Sequence, residues 1–574
     1  MNAKEMYQQW LDNPYFDEDT KEELRKIASD EKEITECFYK DLEFGTAGLR
    51  GILGAGTNRM NAYTVRKATQ GLANYVNKLG TGKQGVAIAY DSRHMSPEFA
   101  NEAACCLAAN GVKAYVFESL RPTPELSFAV RFLGCTAGIN ITASHNPSNY
   151  NGYKVYWADG AQITPPHDKG IMDEVKAITE YDKVRTMAKE EAMGQGLYEV
   201  IGEKIDDAYM AELKKQVLHP EIIKEMNEEI TIVYSPLNGS GNLPVRRILK
   251  ELGFTNVYVV KEQEMPDGDF TTVGYPNPES PKAFELGLKL AREKRADLVL
   301  ATDPDADRLG VYVYDTKTHD YIPLTGNMSG CLIGEYIIGQ KKELQGLPED
   351  GAFIRSIVTT NMADAIAKHY GVKLIEVLTG FKYIGQKILQ FEESGKGNYL
   401  FGMEESYGCL CGTYARDKDA VSATMLLCEA AAFYKKKGKT LWDAMIDMYE
   451  RYGYYLDDVE SVTMEGKEGL EKIASIMSKL HNENKEKLGE NKVLRTRDYK
   501  KGIITDMLDG STKKTDLPQA DVLYYELEKD AWVCVRPSGT EPKIKLYYGV
   551  REESLEGAKA KLNQLKKAAT QLIC

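Results

Sequence analysis

A serine in a polar loop is the first feature of this chain that indicates chemistry. Ser144 lies in the turn-prone stretch Thr142-Ala-Ser-His-Asn-Pro147, directly after a strand-like apolar run at 136–141. A hydroxyl near neutral pH is a poor nucleophile unless a base or a metal activates it. The loop lacks the Gly-x-Ser-x-Gly elbow of acyl-transferring hydrolases, so that chemistry is not indicated. An ordinary Asx-type turn before the proline is the alternative interpretation.

Three alternating carboxylates form a second such feature. Asp303, Asp305 and Asp307 directly follow another apolar run, at 298–301. Alternating residues do not share one face of a helix, but in a loop they can turn inward together and bind a hard cation through oxygen. An EF-hand is excluded because Arg308 stands where that loop requires glycine. The loop therefore favours Mg²⁺ completed by a phosphate oxygen over a solvated acidic turn, and a serine beside such a cation indicates phosphoryl transfer.

Other polar stretches suit a phosphorylated sugar. Arg536-Pro-Ser-Gly-Thr-Glu-Pro-Lys543 combines Arg, Ser, Thr and backbone amides around a glycine, which is a natural phosphate site. No P-loop motif occurs, so nucleotide binding is not supported. Gly402-Met-Glu-Glu-Ser406 offers carboxylates and a hydroxyl for sugar hydroxyls, and Arg416-Asp-Lys-Asp419 precedes a helical pattern. A polar hairpin turn and a charged helix start are the alternatives for the first and last of these stretches.

The bulk composition limits the class of protein. The chain has 574 residues, too many for one hydrophobic core, and three to five domains are expected. A net charge of -13 argues against a nucleic-acid partner, whereas a local cluster of Arg and Lys still suits a small anionic substrate. The 10 cysteines show no zinc spacing and are typical of free thiols in a reducing cytosol. Without a signal core or a membrane-spanning apolar stretch, the sequence predicts a cytoplasmic enzyme.

The elements that must position these loops are predicted from short β-branched runs followed by turns and helical patterns. Strand–helix–strand units are predicted at 86–117, 230–260 and 352–377. Such units build mixed α/β sheets, so three related α/β domains are expected. From about residue 461 the pattern changes to a long helix at 466–488, then short strands and a final helix, which predicts a smaller α+β domain. A helical extension is expected at the N-terminus.

Five motifs in this order resemble those of the α-D-phosphohexomutase superfamily, the phosphoglucomutase and phosphomannomutase enzymes. They are Phe44-Gly-Thr-Ala-Gly-Leu-Arg50-Gly, Thr142-Ala-Ser-His-Asn-Pro147, Asp303-Pro-Asp-Ala-Asp-Arg308, Glu404-Glu-Ser406 and Arg536-Pro-Ser-Gly-Thr-Glu-Pro542. The resemblance implies an α/β fold of four domains around a central cleft, three related mixed-sheet α/β domains plus a smaller C-terminal α+β domain. We expect the serine loop in 1–205, the metal-binding loop in 206–330, the sugar-binding loop in 331–455 and the phosphate-binding loop in 456–574.

The resemblance also implies a role for each matching residue. The metal ligands implied are Ser144, Asp303, Asp305 and Asp307. The catalytic residues implied are Ser144, which carries the phosphoryl group, His145, Lys154, Lys418 and Arg50. The substrate-binding residues implied are Arg308, Thr379, Gly380, Glu404, Ser406, Arg536, Ser538, Gly539 and Thr540. Whether Lys418 or Lys154 is the general base stays open, and we expect cationic and metal neighbours to lower the pKa of that lysine.

The implied function is a mutase that interconverts hexose 1-phosphate and hexose 6-phosphate through a phosphoserine and a bisphosphate. Glucose is the first candidate sugar and mannose the second, with Mg²⁺ as cofactor and glucose 1,6-bisphosphate as the activating intermediate. Small sugar phosphates are the expected partners of a monomer or weak dimer. Met403 replaces the glycine usual before Glu404; a side chain there is expected to narrow or tilt the sugar site, and it keeps phosphopentomutase as the alternative. A sugar-phosphate sensor and a Mg²⁺-dependent phosphatase are further alternatives.

Overall fold

The computed structural model describes residues 2–42, 48–464, 466–538 and 543–573, and helices open the chain. These first helices are α1 (Ala3–Asp12), α2 (Glu18–Lys26) and α3 (Glu31–Phe38). They begin after Asn2, Asp17 and Asp30, whose side chains accept a hydrogen bond from a backbone amide of the first turn. Trp10 is buried and stacks on Phe16 with 4.1 Å between ring centroids. These helices, together with Tyr63 further along the chain, form a small aromatic core.

The first sheet is mixed and carries the serine loop. Its strands are β1 (Leu49–Ile52), β2 (Val86–Tyr90), β3 (Ala114–Phe117), β4 (Ala137–Ile141), β5 (Tyr150–Trp157) and β6 (Tyr198–Ile201), in the order β1-β5-β4-β2-β3-β6. The helices in this part are α4 (Ala62–Lys78), α5 (Ser96–Ala109), α6 (Thr123–Leu133), α7 (His167–Lys176) and α8 (Lys189–Gly194). Strand β4 is parallel to β2 and antiparallel to β5. Ser144 therefore lies in the turn that reverses the chain between β4 and β5.

The second sheet has the same mixed character and carries the acidic loop. Its strands are β7 (Thr231–Ser235), β8 (Asn256–Val259), β9 (Leu298–Thr302), β10 (Leu309–Asp315) and β11 (Asp320–Leu324), in the order β11-β10-β9-β7-β8. The helices here are α9 (Glu203–Lys214), α10 (Pro220–Met226), α11 (Asn242–Leu252) and α12 (Glu285–Lys294), and α13 (Gly326–Gln345), which follows β11, packs mainly against the third sheet. Because β9 and β10 are antiparallel, with Thr302 opposite Leu309, the three aspartates lie in the tight connection between them.

The third sheet positions the sugar loop and Lys418. Its strands are β12 (Gly351–Ser356), β13 (Lys373–Val377), β14 (Asn398–Glu404) and β15 (Gly408–Leu410), in the order β13-β12-β14-β15. The helices are α14 (Met362–Tyr370), α15 (Phe381–Ser394), α16 (Ala420–Lys436) and α17 (Leu441–Tyr452). Glu404 ends β14, and Lys418 lies just before α16, whose N-cap Asp419 accepts hydrogen bonds from two backbone amides.

The fourth sheet is antiparallel. Its strands are β16 (Tyr454–Thr463), β17 (Lys487–Leu488), β18 (Asn491–Asp498), β19 (Ile503–Asp506), β20 (Thr512–Lys514), β21 (Leu523–Leu527), β22 (Trp532–Pro537) and β23 (Lys543–Glu552), in the order β16-β23-β22-β21-β18-β19-β20, with β17 paired to β18. Its helices are α18 (Gly466–Asn482) and α19 (Leu555–Thr570). The helix predicted over 466–488 is too long: α18 ends at Asn482, and residues 487–488 form β17, which Gly489 in a left-handed conformation (φ 60°) connects to β18.

Apolar cores join the sheets. The largest core runs without interruption through the second and third sheets and includes Leu300, Phe353 and Met425. A smaller cluster links the third sheet to the fourth, and it contains Ile357, Val358, Leu378, Tyr524, Trp532 and Tyr547. Among the described residues, none of the helices combines the length and the apolar character needed to cross a lipid bilayer.

Candidate active site

The serine loop and the acidic loop are in direct contact. The Ser144 hydroxyl donates a hydrogen bond to Oδ2 of Asp303 at 2.7 Å and lies 3.2 Å from Nδ1 of His145. Ser144 is 3% exposed, and its backbone is left-handed with φ 52°. That conformation is uncommon outside glycine and costs free energy, which the packed loop must offset. The structure thus brings together the hydroxyl and the carboxylates that the sequence predicts to cooperate.

A buried arginine that the sequence reasoning missed holds the serine loop in shape. The Arg93 guanidinium donates to the carbonyl oxygens of Ser144 at 2.6 Å and Asn146 at 2.5 Å, and it pairs with Asp91 at 3.2 Å. Asp91 in turn accepts from the Thr142 hydroxyl at 2.6 Å. Arginine suits this place because its fixed fork of donors serves several oxygens at once. The sequence offered one signal for Arg93: it lies just after the predicted strand that ends at Tyr90, where functional side chains often lie.

The carboxylates of the acidic loop form a buried cluster. Ligand atoms of Asp303, Asp305 and Asp307 all lie within 4.8 Å of one another. Burial, followed by the charges of the other two aspartates, raises the pKa of Asp303 well above its usual range. Oδ1 of Asp305 and Oδ1 of Asp307 are buried without a hydrogen-bond partner among the described residues. Buried carboxylate oxygens left without donors fit a divalent cation, which takes oxygen ligands of this kind.

Both candidate general bases contact this cluster. Nζ of Lys154, on β5, lies 2.7 Å from Oδ2 of Asp305, and Nζ of Lys418 lies 3.2 Å from Oδ2 of Asp307. Burial acts to lower the pKa of each lysine, but the surrounding carboxylates outweigh burial and raise it. The expected lowering of the lysine pKa by cationic and metal neighbours is not tested by these protein charges and stays a prediction. The negative charge of the acidic loop dominates over the neighbouring cations.

Two of the predicted arginines place positive charge near Ser144. Nη1 of Arg50 donates to Oδ1 of Asn146 at 2.7 Å, and Nη1 of Arg308 donates to Oε1 of Glu279 at 2.8 Å. Burial, with the nearby charges of Arg308 and Arg50, holds the pKa of His145 well below its usual range. His145 is therefore neutral at physiological pH, and positive charge beside Ser144 comes from the arginines.

The predicted sugar-binding loop, which contains Glu404, lies near Lys418. Oε1 of Glu404 accepts a hydrogen bond from the backbone amide of Gly380 at 2.7 Å, and burial raises the pKa of Glu404 to about 7. The Thr379 hydroxyl is buried without a partner among the described residues, and Ser406 is half-buried in the same loop as Glu404. The structure therefore brings the four predicted residues of the third domain together.

Met403 does not enter the sugar site. It is 0% exposed and packs against helix α13, where a Cβ added at Gly330 would lie 2.4 Å from Cε of Met403. Successive side chains of a strand point to opposite faces, so Met403 and Glu404 of β14 face opposite sides of the sheet. The expectation that this side chain narrows or tilts the sugar site is therefore wrong.

The fourth domain contributes cations to the cleft. Arg536 of β22 lies opposite Lys545 of β23, and both are half-buried. The charge of Lys545 acts on the pKa of His145, which relates this sheet to the serine loop. The backbone amide of Ser538 donates to the carbonyl oxygen of Lys543 at 2.7 Å. The predicted residues Gly539 and Thr540, like residues 44–47 of the first motif, lie outside the described part of the chain. Sequence reasoning missed Lys545.

Comparison with known sequences identifies the family. The four domain patterns of that family match in order: Phosphoglucomutase/phosphomannomutase, alpha/beta/alpha domain I at 41–182, domain II at 207–316, domain III at 325–452 and the C-terminal domain at 483–561. The chain belongs to the phosphoglucomutase/phosphomannomutase family, and the predicted membership is confirmed.

Curated relatives and solved structures agree with this membership. The chain is 37% identical over 529 residues to the phosphoglucomutase of Staphylococcus saprophyticus, covering 92% of this chain and 93% of that protein. It is 36% identical over 533 residues to the phosphoglucomutase of Staphylococcus aureus, covering 93% and 94%.

Two crystal structures share the fold at low sequence identity. A phosphoglucomutase/phosphomannomutase family protein from Burkholderia thailandensis superposes with a TM-score of 0.63 at 18% identity, covering 92% of this chain and 97% of that one. The Paramecium phosphoprotein parafusin, a phosphoglucomutase in an open form, gives 0.66 at 18% identity, covering 93% and 95%. The predicted α/β fold is confirmed.

Proposed function

We propose that this protein interconverts hexose 1-phosphate and hexose 6-phosphate, with α-D-glucose 1-phosphate as the main substrate and mannose 1-phosphate as the second candidate. The observation that carries the proposal is the Ser144 hydroxyl, 2.7 Å from Asp303 in a cluster of buried carboxylates. The name phosphoglucomutase, borne by relatives that match over nearly their whole length, supports a hexose rather than the pentose alternative. The buried position of Met403 removes one argument for a pentose.

In the proposed mechanism, phosphorylated Ser144 donates its phosphoryl group to the free hydroxyl of a sugar monophosphate. The resulting bisphosphate turns end over end in the cleft and returns its other phosphoryl group to Ser144. Such a transfer needs little covalent help, and positioning and charge neutralisation carry it. Arg50 and Arg308 supply positive charge beside the reacting group. Glucose 1,6-bisphosphate would prime an enzyme whose serine has lost its phosphoryl group.

The acidic loop is the proposed metal site. Asp303, Asp305, Asp307 and the phosphorylated Ser144 would hold Mg²⁺, which when bound neutralises charge on the transferring phosphoryl group. The unpartnered buried oxygens of Asp305 and Asp307 support this assignment. The carboxylates also keep Lys154 and Lys418 at the edge of the site.

We assign the proton exchange with the sugar to Lys418. Its charge acts on the pKa of Glu404, which indicates that it lies between the acidic loop and the sugar loop. The Lys418 amine would accept the proton of the sugar hydroxyl as that hydroxyl takes the phosphoryl group from Ser144, and the resulting ammonium would return the proton to the sugar oxygen that departs in the second transfer. Lys154, bound to Asp305 at 2.7 Å, then serves mainly to hold the acidic loop.

Two sets of side chains would hold the substrate at its two ends. Thr379, Gly380, Glu404 and Ser406 would bind the sugar hydroxyls. Arg536, Ser538, Gly539 and Thr540 would bind the phosphate that is not reacting. Binding energy from this remote phosphate can be spent on orienting the reacting hydroxyl. The proposal extends to a cytoplasmic monomer or weak dimer. The net charge of -13 supports the further expectation that it has no nucleic-acid partner.

One coupled assay tests the proposal. The purified protein, Mg²⁺ and catalytic glucose 1,6-bisphosphate are combined with the 1-phosphates of glucose, mannose, glucosamine or ribose, and the isomerised sugar phosphate is measured. We expect glucose 1-phosphate to be turned over fastest. Fastest turnover of ribose 1-phosphate would favour a phosphopentomutase, release of inorganic phosphate a phosphatase, and binding without turnover a sensor.

A further inference from the structure

A buried tyrosine of the first domain reaches the loop that carries Lys418. Tyr156 lies on β5, two residues after Lys154, and is 0% exposed. Its hydroxyl donates a hydrogen bond to Oδ2 of Asp417 at 2.9 Å, across 261 residues of sequence. Burial raises the pKa of Tyr156 well above its usual range, so the hydroxyl keeps the proton that it donates. The contact therefore ties the first domain to the third beside the reaction centre.

The two carboxylate oxygens of Asp417 accept hydrogen bonds from different partners. Oδ2 accepts from Tyr156, while Oδ1 accepts from Nζ of Lys418 at 3.0 Å and from the backbone amide of Lys418 at 2.8 Å. Asp417 is itself buried, so solvent does not replace a lost partner. A hydrogen bond to one oxygen of a buried carboxylate restricts its rotation and so fixes the position of the other oxygen. The lysine amino group is thereby held 3.2 Å from Oδ2 of Asp307.

We propose that Tyr156 is a positioning residue for phosphoryl transfer: its hydroxyl orients Asp417, and Asp417 holds the Lys418 amino group in place against the acidic loop. Strand β5 then contributes two residues that support the reaction, Lys154 and Tyr156. Residues two apart on a strand share a face, so Lys154 and Tyr156 approach the acidic loop and the Lys418 loop from one side. This inference rests on the proposed function, because it concerns the lysine that exchanges a proton with the sugar.

The chain contains a matched pair of tyrosines for the test. The hydroxyl of Tyr209, also fully buried, donates to Oδ2 of Asp419 at 2.8 Å in the same loop. Asp419 caps α16 and keeps a second donor, the hydroxyl of Tyr414. Tyr156→Phe and Tyr209→Phe each remove one buried hydroxyl from one aspartate next to Lys418. Only the first of these aspartates contacts the lysine side chain among the described residues.

The experiment measures kcat and KM for glucose 1-phosphate, together with thermal unfolding, in both variants. We expect Tyr156→Phe to lower kcat about tenfold with KM within about twofold of wild type, because a positioning contact acts on the transition state. Tyr209→Phe should keep the wild-type kcat whatever it does to the melting temperature. Asp417→Asn tests the same link from its other end and should lower kcat by a similar factor, even if Tyr156→Phe folds poorly.

A double-mutant cycle separates positioning from mere structural support. In a Lys418→Ala background, adding Tyr156→Phe should reduce the remaining kcat by less than about twofold, because its effect passes through the lysine. An equal tenfold loss in both backgrounds, or a wild-type kcat in both Tyr156→Phe and Asp417→Asn, would overturn the inference. Failure of the proposed function looks different, since wild-type protein would then show no mutase turnover at all.

Discussion

The hydroxyl oxygen of Ser144 lies 2.7 Å from a carboxylate oxygen of Asp303, although 159 residues separate them in sequence. Each residue lies in a tight connection at the end of a buried strand, β4 in one sheet and β9 in another. Backbone contacts join the two domains at the same place, since the amide of Thr123 donates to the carbonyl oxygen of Asp305 at 2.9 Å. The proposed reaction centre thus lies at an interface to which both domains contribute.

Loss of this hydroxyl should stop turnover without preventing substrate binding. We predict that Ser144→Ala lowers kcat by at least about a thousandfold, because the phosphoryl acceptor is gone. Calorimetric titration with glucose 1-phosphate should give nearly the wild-type affinity, since Arg536 and Glu404 remain in place. Ser148→Ala, in the same loop, is the matched control and should keep its activity. Substantial turnover by Ser144→Ala would contradict the assigned role.

Mg²⁺ should raise thermal stability through the acidic loop. A ligand that binds the folded state stabilises it by mass action, so the melting temperature of the wild type should increase with added MgCl₂ and fall with a chelator. Asp303→Asn should lose this response.

In chelator alone Asp303→Asn should melt at a higher temperature than wild type, because the wild-type Asp303 carboxylate is costly to ionise beside Asp305 and Asp307. The surface variant Asp509→Asn serves as control. A full Mg²⁺ response in Asp303→Asn would rule out this metal site.

Local patterns in the sequence predicted the loops of the site, and long-range contacts did not follow from them. The apolar runs at 136–141 and 298–301 coincide with strands β4 and β9, and the polar residues that follow them are in contact with each other. By contrast, Arg93 acts on carbonyl oxygens more than fifty residues away, and Tyr156 on a carboxylate of another domain. Such pairings depend on how the sheets pack, and a single sequence carries no local signal for them.

The direction of the Met403 side chain also could not be predicted from the sequence. Because a methionine replaces the usual glycine before Glu404, the sequence predicted a narrowed sugar site. The alternation of β14 buries it against α13 instead. Which face of β14 meets α13 depends on how the helix packs on the sheet, and the motif alone carries no signal for that packing.

The buried carboxyl of Glu404 should cost stability in a defined pH range. Its pKa is about 7 in the folded protein and about 4.3 in an unfolded chain. Between these values the folded state binds the extra proton, so this group favours folding at low pH and its contribution is lost as pH rises towards 7. We predict that Glu404→Gln gains stability relative to wild type over this range and keeps the advantage above it.

Urea unfolding at pH 5 and pH 8 measures this difference. The free energy of unfolding of Glu404→Gln should exceed that of wild type more at pH 8 than at pH 5. KM for glucose 1-phosphate should rise in the same variant, because the amide accepts fewer sugar hydrogen bonds than a carboxylate. Glu393→Gln, an exposed change on α15, should show neither effect. An advantage that shrinks as pH rises would contradict the assigned burial.

The stem of Lys418 runs directly over Gly408, which makes this glycine a sensitive test of where the lysine must lie. A Cβ added at Gly408 would fall 2.0 Å from Cδ and 2.7 Å from Cγ of Lys418, so the whole stem would have to move. We predict that Gly408→Ala lowers kcat at least about tenfold, because the amino group of Lys418 is displaced from Asp307 and Asp417.

In a Lys418→Ala background the Gly408→Ala substitution should lower kcat little further. Gly194→Ala, whose added Cβ meets nothing within 4 Å, should leave kcat unchanged. A fully active Gly408→Ala would show that Lys418 works from another position.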